Sequence, residues 1–103
     1  MAYGVITDVP APIGMYDAIH AELKRRAGDS VEGLLVHIGR PTSTGFQVVE
    51  IWETEEAFQR YMRELIGPVM AELSGGQAPP EGQPGPEEFE VRGLVLPSAH
   101  VFA

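Results

Sequence analysis

Apolar and polar positions follow two rhythms along the chain, and their succession predicts six elements. Residues 3–9 are β-branched and aromatic enough for a short strand, which Pro10 and Pro12 stop. Residues 13–27 change to helical spacing: Tyr16, Ile19, Leu23 and Ala27 form a stripe, with His20 on it. Lys24, Arg25 and Arg26 suit the last turn of that helix, and Gly28 its stop. Residues 30–39 read as a second strand, 40–44 as a polar turn, and 45–53 as a third strand, together a β-hairpin. In the third strand Phe46, Val48, Glu50 and Trp52 share one face, while Gln47, Val49 and Ile51 share the other. Thr54 is a good N-cap, followed by Glu55 and Glu56 in a first turn. Phe58, Tyr61, Met62, Leu65 and Ile66 then sit at helical spacing. Gly67 and Pro68 interrupt this helix, and Pro68 suits the start of a short continuation through Leu73. Residues 74–88 carry four glycines and four prolines and predict an exposed loop, either a lid over a pocket or a plain connector. Residues 89–96 read as the fourth strand, ended by Pro97, and 98–103 as an apolar tail.

The order β-α-β-β-α-β predicts a ferredoxin-like α+β fold over residues 1–103, one domain with both helices on one face of a four-stranded antiparallel sheet. Val49 and Ile51 would then lie on the uncovered face, too apolar to leave in water. A homodimer closing two sheet faces on each other is the economical solution. No internal repeat of solenoid period is present.

Composition narrows the partners. Hydrophobic residues make up 44% and charged residues 21%, which excludes a wholly disordered chain. With 15 acidic against 7 basic side chains the formal charge is -8, so nucleic acid and anionic membrane surfaces are not expected as partners. There is no cysteine, hence no disulfide and no thiolate nucleophile or ligand. The first residues hold no basic segment followed by an apolar one, so no leader is expected and the expected location is cytoplasmic. No apolar run approaches a membrane span.

The run Val48-Val-Glu-Ile-Trp-Glu-Thr-Glu-Glu-Ala-Phe58 resembles the strand-to-helix junction of the dimeric α+β barrel superfamily, the antibiotic-biosynthesis-monooxygenase-like proteins. Residues 33–73 look especially like an uncharacterised actinobacterial branch, and the resemblance spans most of residues 3–96. It implies a dimer of sheets and a pocket between the sheet and the helices. The superfamily holds cofactor-free monooxygenases, heme-degrading monooxygenases, isomerases and decarboxylases, so the scaffold alone does not select a reaction. Its heme-degrading members use an asparagine on the first strand, a tryptophan ending the third and a histidine on the second helix. Trp52 matches the tryptophan; the histidine position falls near Tyr61 and Met62; the chain has no asparagine. The cofactor-free members bind flat aromatic molecules, which implies a small aromatic or polyketide-like partner and no cofactor.

Six side chains and one strand acid are candidates for chemistry in such a pocket. His20 sits on the apolar helix stripe, where an imidazole could serve proton transfer; its plainer role is a helix-border histidine bonded to backbone or water. His37 interrupts an apolar strand and needs a partner if buried. If the hairpin pairs it near Val48, it shares a face with Glu50 and Trp52, and a one-residue slip sends it to the dimer face. Glu50 lies between two apolar residues, as the orienting half of a Glu–His proton-abstraction unit or as an ion pair to Arg40 or Arg92. Trp52 and Phe46 offer stacking area for an aromatic ligand, or plain core packing. Tyr16 and Tyr61 would complete the walls with a hydroxyl each, or lie half-buried with the oxygen in water. No metal is expected, because His20, His37 and His100 lie on separate elements without metal-binding spacing. No phosphate-cradling loop and no nucleophile elbow are present.

Three functions follow as expectations. The first is a cofactor-independent tailoring enzyme, a monooxygenase or an isomerase/cyclase, with His37, His20 and Glu50 as acid/base groups. The second is a ligand-binding module without turnover, and the third a structural dimer without a cavity. An open pocket with a carboxylate–histidine contact would separate the first from the others.

Overall fold

The computed structural model describes residues 2–28, 31–73, 85–99 and 101–102. Residues 74–84 of the Gly/Pro-rich stretch, and His100, lie outside them, and with them the lid reading and the third histidine. Strand β1 (Tyr3–Val9) and helix α1 (Ile13–Ala27) occupy the predicted residues. Helix α1 ends where the Gly28 N–H bonds Lys24 O at 2.8 Å. Strands β2 (Leu34–Pro41) and β3 (Phe46–Trp52) form the predicted hairpin. β2 begins later than expected because Glu32 and Gly33 form a turn, in which Gly33 takes φ 86, open at low cost only to glycine.

The second helix is helical throughout, with a wide turn in its middle. Helix α2 (Glu55–Tyr61) passes into a π-helical segment (Met62–Ile66) and then into α3 (Gly67–Leu73). Thr54 caps α2 as expected, its hydroxyl accepting from the Ala57 N–H at 3.1 Å. Pro68 is the reason for the irregularity. It has no N–H to donate, and its ring would collide with the carbonyl four residues back. Widening the preceding turn, so that the Gly67 N–H bonds Met62 O, removes the collision without ending the helix.

The fourth strand is a correction to the sequence reading. β4 (Glu87–Glu90) starts two residues earlier and is only four residues long. The chain then bends at Arg92, and β5 (Val95–Leu96) pairs instead with β6 (Val101–Phe102), so part of the expected tail is a strand. A bend before Gly93 takes the later residues off the β1 ladder. The resulting edge strand carries Glu87, Glu88 and Glu90, charges that discourage further pairing.

The sheet is antiparallel in the order β2-β3-β1-β4. Val5, Trp52, Phe58 and Tyr61 form the buried core between it and the helices, with Leu23 of α1 packed against them. Register puts Ile6, Val36, Ile38, Val49, Ile51 and Phe89 on the opposite sheet face. Ile38 there is 50% exposed and the others at least partly so. Among the described residues no helix is long and apolar enough to cross a membrane.

Candidate functional site

A cavity of about 220 Å³ lies between α1, the second helix and the sheet. β1 contributes Thr7 and Val9 to its wall, β2 His37, and β3 Phe46, Val48 and Glu50. From α1 come Met15, Tyr16, Ile19, His20 and Leu23, and from the second helix Phe58, Tyr61, Met62, Ile66 and Met70. Met62 and Ile66, at the two ends of the π-helical segment, both lie on this wall. Pro86, at the end of the Gly/Pro-rich stretch, also lines it. No lysine or arginine is on the wall among the described residues.

Four of the polar side chains on this wall, Glu50, His37, Tyr16 and His20, form one array. Register sets His37 directly opposite Glu50, one same-face step from the expected neighbour Val48. The hairpin therefore keeps His37 on the helix-covered face, and its Nδ1 lies 2.8 Å from Glu50 Oε2. Glu50 is buried. On the other side of the ring, His37 Nε2 lies 2.8 Å from the Tyr16 hydroxyl. His20 Nδ1 stands 3.4 Å from that hydroxyl, at the exposed end. The rings of Tyr16, His20 and His37 stack on one another with centroids 5.5 to 6.0 Å apart. Four residues from two strands and one helix thus form a line from a buried carboxylate to the surface.

Gly39 makes the Tyr16 position available. A Cβ at Gly39 would fall 2.2 Å from Cζ and 2.6 Å from the hydroxyl oxygen of Tyr16. Only a residue without a side chain lets the phenol lie against β2 at that depth. Burial raises the Tyr16 pKa, and the nearby charges of Glu50 and Asp17 raise it further, so the phenol is held in its neutral form. Tyr61, more deeply buried, is pushed up more strongly, first by burial and then by Glu50 and Tyr16. A second, more open cavity of about 320 Å³ shares His20, Leu23, His37 and Tyr61 as wall and adds Lys24 and Val31.

The expected site residues do not all meet. Glu50, His37, His20, Tyr16, Phe46 and Tyr61 surround the cavity. Trp52 does not: it is fully buried in the core, with ring centroids 4.9 Å from Tyr61 and 6.0 Å from Phe58. It lies one same-face step past Glu50, under α2, where Phe58 and Tyr61 close over it. The indole therefore supports the cavity wall from behind, while Phe46 of the same strand face lies on the wall itself. Glu50 pairs with His37 and with neither Arg40 nor Arg92: Arg40 instead donates to Gln47 at 2.9 Å. Thr7, Met15 and Met70 line the cavity without having been singled out in the sequence. Gly39 was overlooked too, although a glycine inside an apolar strand is itself a signal of close approach. Among the described residues no group of three or more His, Asp or Glu is placed to hold a metal ion.

A βαββαβ chain with this strand order, and a cavity between sheet and helices, has the fold of antibiotic-biosynthesis-monooxygenase-like proteins. Among solved structures, it is similar to a candidate antibiotic biosynthesis monooxygenase from Chloroflexus aurantiacus J-10-fl, at 17% identity and a TM-score of 0.62 over 92% of this chain and 97% of that one. It is also similar to a heme-degrading protein from Mycobacterium tuberculosis, at 24% identity and a TM-score of 0.54 over 93% and 99% of the two chains. A protein of unknown function from Nitrosomonas europaea gives 17% identity and a TM-score of 0.60 over 93% and 92%. No protein-family model and no curated protein matches the chain by sequence.

Proposed function

We propose that the chain works as a homodimer that binds a flat, largely apolar small molecule and removes a proton from it, as a cofactor-independent monooxygenase or a related isomerase or cyclase does. The observation behind this reading is the 2.8 Å contact of His37 with buried Glu50 on the wall of an otherwise apolar cavity. A carboxylate there stabilises the imidazolium that forms when a proton is taken up. A binding module without turnover has no need of such a pair, and a purely structural dimer has no need of the cavity. With O₂ as co-substrate the resulting carbanion would be oxidised; without it the proton would return at another carbon. The sequence of steps on this chain's side is the same.

Size and charge limit the ligand. About 220 Å³ lies below the usual range of roughly 300–1,000 Å³ for drug-sized ligands, which supports a molecule of one or two rings. A tetrapyrrole with two carboxylates is larger than this cavity, and Lys24 lines only the adjoining one, so heme degradation is the less supported reading. The uncovered apolar sheet face supports dimerisation through the sheets.

A thermal-shift screen of flat neutral aromatics tests the binding. A ligand at a hundred times its Kd should add about 2.7 kcal/mol of apparent stability. With a bicyclic aryl ketone as probe, wild-type protein should speed exchange of its acidic C–H with deuterated water. His37→Ala should remain folded and lose about 10²–10⁴-fold of that acceleration. Equal exchange in both proteins would end the proton-abstraction reading.

A further inference from the structure

Both ring nitrogens of His37 are occupied within the protein, Nδ1 by Glu50 and Nε2 by Tyr16, each at 2.8 Å. A carboxylate only accepts, so in the neutral imidazole Nδ1 carries the proton and donates to Glu50. Nε2 is then the acceptor, and the Tyr16 O–H donates to it. No lone pair of His37 is left for a ligand. The Tyr16 oxygen, having given its one proton to His37, keeps its lone pairs for an incoming donor.

From this geometry we infer that Tyr16 is the catalytic residue that receives the ligand's proton, and that His37 and Glu50 act through it. The inference rests on the proton-removing site proposed above and names its contact atom. In the step, the ligand's O–H or acidic C–H bond breaks and a new O–H bond forms on Tyr16. The original Tyr16 O–H bond breaks as its proton moves to His37 Nε2. The products are the ligand anion, neutral Tyr16 and an imidazolium held against Glu50, so charge and atoms balance without a further reagent.

Independent features agree with this role. Burial and the charges of Glu50 and Asp17 disfavour a stored phenolate, which suits a carrier that is neutral before and after the step. The missing side chain at Gly39 holds the phenol oxygen beside β2, in line with His37. His20, exposed and 3.4 Å from the same oxygen, gives the proton a way to solvent for the next cycle.

The test uses 4-nitrophenol, whose anion absorbs in the visible and whose neutral form does not, at a pH where the free probe is mainly neutral. Wild-type protein should bind it and raise its anion absorbance, reporting transfer of the proton to the protein. Tyr16→Phe should still bind the probe, measured by calorimetry, and lower the bound anion-to-neutral ratio by about tenfold or more, one pKa unit. His37→Gln and Glu50→Gln leave the Tyr16 hydroxyl in place and should lower the ratio likewise, so the conclusion does not depend on one variant folding. An unchanged anion band in Tyr16→Phe, with binding intact, overturns the role of Tyr16 and leaves the proton-removing site standing. Loss of the band in Tyr16→Phe but not in His37→Gln or Glu50→Gln overturns the relay behind it. If wild-type protein does not bind the probe, both the site reading and this inference fall.

Discussion

At Gly39 a missing side chain decides where a phenol can go. Replacing it with Ala puts a carbon into the space of the Tyr16 ring, 2.2 Å from Cζ. The ring must move off β2 and away from His37 Nε2. The expected cost is that of overpacking, about 1–3 kcal/mol in urea unfolding. The 4-nitrophenol anion signal should fall with it, while far-UV dichroism stays native. A signal at the wild-type level would mean that Tyr16 does not need to lie against β2. The core beside the site has the opposite character. Trp52 is enclosed by Tyr61 and Phe58, and its Nε1 has no hydrogen-bond partner among the described residues. Its contribution is apolar area and shape, which hold Tyr61 against the cavity.

Among the elements, the cavity depends on how α1 is held against the second helix, since each supplies one side. No residue of α1 is fully buried, so packing alone ties it loosely. A charge cluster adds to the tie: Glu22 accepts from Arg25 and from Arg26, and Arg26 also reaches Glu72 on α3. Hydrogen bonds from Arg25 first, and then Arg26, lower the Glu22 pKa from 4.5 to about 2. The sign is that of a depressed carboxylate: its stabilisation is full above the unfolded value of 4.5 and is lost as pH falls toward 2. Glu22→Gln should therefore lower the melting temperature slightly at neutral pH and flatten its decline between pH 4.5 and about 2. The effect is small, because the cluster is exposed and screened by salt. Parallel acid limbs in the two proteins would show that the Glu22 pairs within α1 add nothing to stability.

For the whole molecule, the sheet has one face under helices and one face whose middle carries Ile, Val and Phe side chains, with Asp8, Arg40 and Gln47 toward one end. The proposed dimer would bury the second face and leave the cavity on the first. Ile38, half exposed in the single chain, is the sharpest probe of it. Ile38→Asp would carry an unpaired charge into the joint, at about 3 kcal/mol, roughly a hundredfold in the dissociation constant. Sedimentation should find a dimer for wild-type protein and a shift toward single chains for the variant. A wild-type chain that sediments alone at micromolar concentration would remove the dimer from the proposal.

Read by itself, the chain determined the order of its elements through α3 and the faces they present. Alternation along β3 put Phe46, Glu50 and Trp52 on one side, and spacing along α1 put Tyr16, His20 and Leu23 on one stripe. These are short-range properties, since period and face depend on residues a few positions apart. Tertiary structure alone decided which of these residues touch. A bulge between Leu34 and Val36, and the pairing that follows it, set His37 opposite Glu50 rather than Val48. Helix packing against a bare Gly39 brought Tyr16 to His37, and the closing of α2 over Trp52 took the indole out of the cavity. Such contacts depend on how elements distant in sequence lie against each other to within an ångström, and no local pattern encodes that distance.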